Sequence, residues 1–368
     1  MRDWLRRTWR RLREQPPRRA LRASGHEAVA GTVGRTVSTA YRRWQTPTPI
    51  WKRDWDVLVL LDGCRLDTFR TVAADGDYEF LPPAGAVESI WSVGSQSAEW
   101  MVRTFDASHA DEMRRTAYVT GNPFSAQSGD GITAVDTDPL PLDPVDFGWL
   151  HEAWRTDWRD GDVSTIPPGP LTDAAIAAWR RREALDVDRV IVHYMQPHAP
   201  FRSRPDWFLG TAEVGDWGSL ESGADDADAA VRWEDLDEET REFLAALDAD
   251  EAIGRDPWTR RRDGDLPAEA FRAAYRDNLE WVLADVARLA ENCEGRIAIT
   301  SDHGNAAGEF GVWSHPPAVH LPALRAVPWL GFDGTDRHTA DPDLPDAATA
   351  DESATDDARE RLADLGYR

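Results

Sequence analysis

The chain reads as an α/β protein built on a mostly parallel central sheet, and three observations predict it. The run Asp56-Val57-Leu58-Val59-Leu60-Leu61 is apolar without alternation, as a strand covered on both faces must be, and it runs straight into Asp62-Gly63. A second apolar run, Arg296-Ile297-Ala298-Ile299, leads into Thr300-Ser301-Asp302-His303-Gly304. Between them, strand-like and helix-like stretches alternate, the order that gives a parallel sheet with helices packed on it. With 368 residues and 41% apolar content, the chain can bury one large core.

Residues 1–50 form a basic N-terminal arm carrying twelve arginines against Asp3, Glu14 and Glu27. Its net charge of +9 leaves −33 on the remainder of a chain whose total is −24. In Met1–Leu12, residues Trp4, Leu5, Trp9 and Leu12 fall near one helical face and arginines fill much of the rest, the pattern of an amphipathic helix lying on a membrane surface. Docking on the acidic body is the alternative. No run reaches the roughly 20 apolar residues of a membrane span, and no apolar core follows the arginines as a secretory signal requires. The expectation is a cytoplasmic protein in peripheral contact with membrane. Acid excess with Lys52 as the only lysine points to a chain kept soluble in high salt, hence a halophilic source, and it excludes nucleic acid as a partner of the body. Cys64 and Cys293 make no disulfide framework.

After the first strand, Leu66–Ala74 and Ala98–Phe105 read as helices, Thr116–Thr120 as a strand entering Gly121-Asn122-Pro123, and Arg189–Tyr194 as another strand. Residues 202–265 form an acidic insertion with Trp207, Trp217, Trp233 and Trp258, a lid or a solvated excursion. Phe271, Tyr275, Asn278, Val282, Val286 and Leu289 recur at helical steps, so Pro267–Glu291 is a long helix with Asp265 as its cap. The body, residues 51–334, ends in an acidic linker and a short C-terminal helix over residues 335–368.

Ligands of open α/β sheets bind at the carboxyl ends of strands. Asp62 and the pair Asp302-His303 stand at two such ends, and two carboxylates with an imidazole suit a divalent cation, Mn or Zn rather than Ca. The alternative is that Asp62 caps a turn and His303 is structural. Arg65 is placed to reach an anionic ester or, alternatively, to pair with Asp67. Asn122 is placed to donate to the same anion or to hold its own turn.

Four segments, Val57–Asp67, His193–Phe201, Ser301–Gly304 and Gly311–Pro316, together with Leu362–Tyr367, occur in an order that resembles the sulfatase and alkaline-phosphatase superfamily. The resemblance implies an alkaline-phosphatase-like α/β/α sandwich and a metal-dependent hydrolase or transferase of phosphate or sulfate esters, small-molecule, lipid or glycan, working through a covalent serine. An inactive member that binds an anionic headgroup or glycan is the alternative. The nucleophile is expected in Trp91-Ser92-Val93-Gly94-Ser95-Gln96-Ser97, where helix-start amides can stabilise an anion. Alignment with the family's nucleophile segment favours Ser95, and position at the helix start favours Ser97. His198 and His315 match histidines that hold a second ion in the family's two-metal members. Gln196 stands where that site's acid is expected, so a second ion is doubtful and the two histidines are assigned to the ester oxygens or the leaving group. His193 and His320 read as structural or as residues standing just behind the ligands. Neither serine is followed by the Pro and Arg of the formylglycine motif, and Cys64-Arg65-Leu66-Asp67 lacks it too, so an unmodified serine is expected.

Overall fold

The computed structural model describes residues 35–76, 78–126, 146–158, 165–207 and 257–347, with 357, 358, 361 and 362. Residues 1–34, and with them most of the expected amphipathic arm, lie outside the described residues, as do 208–256 of the insertion and most of the C-terminal helix.

The strands are β1 (Val57–Asp62), β2 (Glu88–Trp91), β3 (Thr116–Thr120), β4 (Trp149–Glu152), β5 (Arg189–Pro197), β6 (Gly295–Ser301), β7 (Ala306–Ala307), β8 (Trp313–Ser314) and β9 (Ala326–Gly334). The helices are α1 (Arg35–Trp44), α2 (Leu66–Asp75), α3 (Ser97–Thr104), α4 (Ala110–Arg114), α5 (Pro168–Arg180), α6 (Arg182–Leu185), α7 (Pro257–Asp263), α8 (Ala268–Ala290) and α9 (Pro322–Arg325). Among the described residues, no helix is long and apolar enough to cross a membrane.

Seven strands form one sheet in the order β2-β9-β6-β1-β5-β3-β4. The block β6-β1-β5-β3-β4 is parallel throughout, and β9 runs antiparallel to both β6 and β2. The expected mostly parallel sheet is therefore present. Every residue of β1 is buried, which explains why its sequence shows no polar alternation. Side chains of a strand alternate between faces, and two neighbours on β5 show what covers each. His193 lies beside Trp100 of α3, and the Tyr194 hydroxyl meets Thr172 of α5 at 2.8 Å. Helices thus cover both faces, the α/β/α arrangement.

The long helix α8 starts at Ala268 with Pro267 at its cap position and no side-chain cap, so Asp265 does not play the capping role expected of it. Proline suits that position because its fixed φ is compatible with a helix start and the missing N–H has no intrahelical acceptor there. The described end of the basic arm packs on the body. Tyr41 of α1 stacks on Trp91 with ring centroids 5.7 Å apart, Val37 and Tyr41 cover the cluster Ala306, Val312, Leu321 and Leu324, and Ile50 and Trp51 are buried in the main core. At the other end, Ala358 and Leu362 are also buried.

Candidate active site

The parallel strands β1, β5 and β6 deliver their carboxyl ends to one place. Asp62 closes β1, Asp302 and His303 follow β6, and all three are fully buried. Asp302 Oδ1 accepts hydrogen bonds from Gly63 N at 2.9 Å and His303 N at 2.7 Å, so this carboxylate orders both turns. Gly63 is at φ 65°, and a Cβ there would lie 2.5 Å from the Asn305 amide nitrogen, which is why the strand exit needs glycine. Asn122, just past β3, donates to Asp62 Oδ2 at 2.9 Å while its own oxygen accepts from Phe124 N at 3.0 Å. It fixes the rotamer of Asp62 and its own turn, the second of the two roles open to it.

The two serines separate clearly. Ser97 is the first residue of α3, and its Oγ lies 3.2 Å from Asp62 Oδ2 and 3.3 Å from His303 Nε2. Ser95 Oγ lies 2.8 Å from Glu99 Oε2 and 2.9 Å from the Pro316 carbonyl, and it accepts from Val319 N at 3.2 Å. Of the two hydroxyls, only that of Ser97 is hydrogen-bonded to the acids and histidine of the strand ends.

His303 Nδ1 lies 2.8 Å from the Gly304 carbonyl and must carry a hydrogen, which turns Nε2 toward Asp62 Oδ1 at 3.5 Å and Asp302 Oδ2 at 3.4 Å. His198 uses Nδ1 in the same way on Ala199 O, and its Nε2 faces His315 Nε2 at 2.9 Å, a contact that needs one proton between them. His315 in turn lies 4.9 Å from His303, ring to ring. The predicted pair therefore adjoins the acid cluster. Arg65 takes the alternative open to it and pairs with Asp67. Its guanidinium is engaged by Asp67 at 2.6 Å, Glu309 at 2.9 Å and the Asn305 carbonyl at 2.5 Å. Gln196 donates to Ile166 O at 2.9 Å. The Cys64 thiol is fully buried, and burial pushes its pKa well above the usual range, as a packing cysteine requires.

His193, expected to be structural or to stand just behind the ligands, adjoins the cluster. Its Nε2 lies 3.8 Å from Asp302 Oδ2, and one ligand atom each of Asp62, His193 and Asp302 fall within 4.8 Å of one another. Its approach depends on the register of β5 against β1, which sets His193 beside Leu60.

Electrostatics agree with a cation site. Burial raises the Asp302 carboxyl, with Asp62 adding to that effect, whereas the charges and hydrogen bonds of nearby histidines outweigh burial at Asp62 and hold it low. Burial opposes a charge on His303, yet Asp302 and Asp62 push its pKa up to about 9. Burial, with the charges of His303 and His198, presses His315 well below its ordinary value, so it is neutral. Within the cluster of Asp62, His193 and Asp302, each residue has one buried atom with no hydrogen-bond partner, namely Asp62 Oδ1, His193 Nε2 and Asp302 Oδ2. Orphaned buried carboxylate oxygens and an orphaned imidazole nitrogen are costly unless something occupies the space between them. The donor set, two carboxylates with imidazole, fits a divalent cation. His193→Ala is expected to weaken Mn or Zn binding about 10- to 100-fold by equilibrium dialysis. Unchanged affinity would return His193 to a packing role.

No family model matches the chain, and no curated protein matches it. Solved structures similar to it include sulfatases and phosphoethanolamine transferases. One is the soluble domain of lipooligosaccharide phosphoethanolamine transferase A from Neisseria meningitidis, 12% identical over 76% of this chain and 75% of that chain, with a TM-score of 0.38. This chain covers 55% of the integral membrane form of that enzyme. Another is the zinc complex of the periplasmic domain of EcEptC from Escherichia coli, 11% identical over 79% of this chain and 77% of that chain, with a TM-score of 0.33. A third is yidJ from Bacteroides fragilis, assigned as a sulfatase, 12% identical over 82% of this chain and 71% of that chain, with a TM-score of 0.31. Scores this low carry no information about the reaction, which rests on the chemistry of the site itself.

Proposed function

We propose that this protein hydrolyses or transfers a phosphate or sulfate ester with the help of a divalent metal, using Ser97 as a covalent nucleophile. The observation that carries this reading is the meeting of the Ser97 hydroxyl with the orphaned acid pair and His303 at the start of a helix. Asp62, Asp302 and His303, with His193 beside them, would hold the ion, which when bound polarises the ester and lowers the pKa of the serine hydroxyl. Asp62 Oδ2 accepts the Ser97 hydroxyl in hydrogen-bond range, and Asn122 keeps that oxygen aimed. The Ser97 proton passes to Asp62 Oδ2 as the serine oxygen bonds to phosphorus or sulfur and the bond to the departing alkoxide breaks. His198 and His315 adjoin the cluster, and a further proton taken up by this pair would be the one given to that alkoxide. First-turn amides of α3, which lack intrahelical acceptors, offset charge gathering on the ester oxygens. Water or a second alcohol then releases the group from Ser97.

An aryl sulfate, a phosphate monoester and a phosphodiester, each assayed with Mn, Zn and Ca in high salt, test this reading. Metal-dependent turnover of at least one ester is expected. Metal retention without turnover of any would instead favour a role in binding anionic headgroups or glycans.

We also propose that the arm brings the enzyme to an anionic membrane surface. Support comes from its charge of +9, from Trp4 and Trp9, and from Trp44, which follows Arg42 and Arg43 on α1 and is 80% exposed. Each basic residue near anionic lipid contributes about 1 kcal/mol at moderate ionic strength, and tryptophan burial adds a salt-resistant share. Full-length protein is expected to co-sediment with anionic liposomes even in high salt, and deletion of residues 1–22 to abolish this without changing turnover of a soluble ester. Equal binding by the truncated chain would remove the arm from this role.

A further inference from the structure

Glu99 and Arg325 form an ion pair at 2.6 Å with both side chains fully buried, a costly arrangement unless every polar atom is used. Here they are used on the chain segments that carry the site. Glu99 Oε2 accepts from Ser95 N at 2.9 Å, from Ser95 Oγ at 2.8 Å and from Ala318 N at 3.1 Å. Arg325 donates to Val93 O at 2.6 Å, Ser92 O at 3.3 Å and Val319 O at 3.0 Å, and its own carbonyl accepts from Ser92 N at 2.7 Å. The pair thereby joins the turn leading into Ser97 to the loop that follows His315. It also reaches the acid cluster from behind. Leu324 O, one residue before Arg325, accepts Gly304 N at 2.7 Å, and a Cβ on Gly304 would lie 2.3 Å from Ala323 O, so α9 abuts the residue after His303. Arg103 adds a second contact to Glu99 Oε1 at 3.2 Å from the half-exposed side.

We infer that Glu99 and Arg325 are positioning residues that set Ser97 and His315 against the Asp62, Asp302 and His303 cluster. Neither touches the reacting atoms, and the inference rests on the reading of Ser97 given above. The chemistry requires such a device, because Asp62, Ser97, His198 and the stretch from Asp302 to His315 are four places far apart in sequence, and a misplacement of about 1 Å can cost a hundredfold in rate. A buried pair with every partner committed admits one arrangement, which an apolar plug would not enforce.

Glu99→Gln keeps the volume and can still accept from Ser95 and Ala318, but it then presents an amide N–H to Arg325. Crystal structures of the wild type and this variant, which need no substrate, are expected to show Ser97 Oγ moved out of hydrogen-bond reach of Asp62, or His315 parted from His198. For any ester the wild type turns over, kcat is expected to fall about 100-fold while KM and the Mn affinity measured by calorimetry stay within about threefold. Arg325→Lys keeps the charge but fewer contacts, and is expected to retain about a tenth of kcat, which decides the matter should Glu99→Gln fold poorly. Unmoved side chains in the variant crystal, or full kcat beside a lowered melting temperature, would overturn the inference. A wild type inert toward every ester would instead sink the proposed reaction, and the crystallographic comparison would still decide this one.

Discussion

Asp302→Asn is expected to lose its divalent metal on dialysis and to turn over ester about 10³-fold or more slowly than the wild type. The reasoning starts from its two oxygens. Oδ1 is spent on Gly63 N and His303 N, contacts an asparagine oxygen can keep, so the strand exits should hold their shape. Oδ2 has no hydrogen-bond partner and faces His303 Nε2 at 3.4 Å, and it is this atom that the substitution turns into an amide. The variant therefore removes one ligand and one charge with little change in packing. A thermal melt supplies the control. Bound metal stabilises the folded state by mass action, so chelator should lower the melting temperature of the wild type and leave Asp302→Asn unchanged. A variant that keeps stoichiometric metal by elemental analysis would show that the acid cluster is not the cation site.

Ser97→Ala is expected to lower turnover by about 10³- to 10⁵-fold while metal affinity changes only a few-fold. Ser95→Ala should cost far less, about tenfold, because its hydroxyl supports the turn through Glu99 and the Pro316 carbonyl and has no contact with the acids. Its effect should appear mainly as lost stability. The contrast between the two serines matters more than either number. Equal losses, or a larger loss at Ser95, would show that the nucleophile assignment is wrong.

Much of this was legible in the sequence, and the reasons are physical. A central strand such as β1 is buried on both faces and writes itself as an unbroken apolar run, and the acids at the ends of β1 and β6 stand in plain view because a strand end points at the crevice. Strands β2, β4 and β9 were not read from the sequence. Of these, β2 and β4 are only four residues long and lie at the sheet edges, while β9 pairs antiparallel beside β6. Short edge strands carry little periodicity, and their pairing is a long-range property. The choice between Ser95 and Ser97 could not be made locally for a similar reason. The reading in favour of Ser97 rests on Glu99, two residues inside the helix, folding back to occupy Ser95, and on Arg325 arriving from the far end of the chain to hold that carboxylate. His193 adjoins the cluster through sheet register, and Arg65 is withdrawn from it by Glu309, a residue 244 positions later in the numbering. Ligand types at strand ends can be read from a sequence, whereas the partners that aim or disarm a side chain depend on the assembled fold.

The account stands or falls on a serine ester formed only when the metal is present. Protein freed of metal by chelator, then incubated with an activated aryl phosphate or aryl sulfate with and without added Mn or Zn, can be quenched in acid, digested and mapped by mass spectrometry. One phosphoryl or sulfuryl group on Ser97, formed with metal and absent without it, is the expected result. Adduct on Ser95, an adduct that forms equally well without metal, or metal-dependent turnover that leaves no adduct even with the slowest substrate would contradict it.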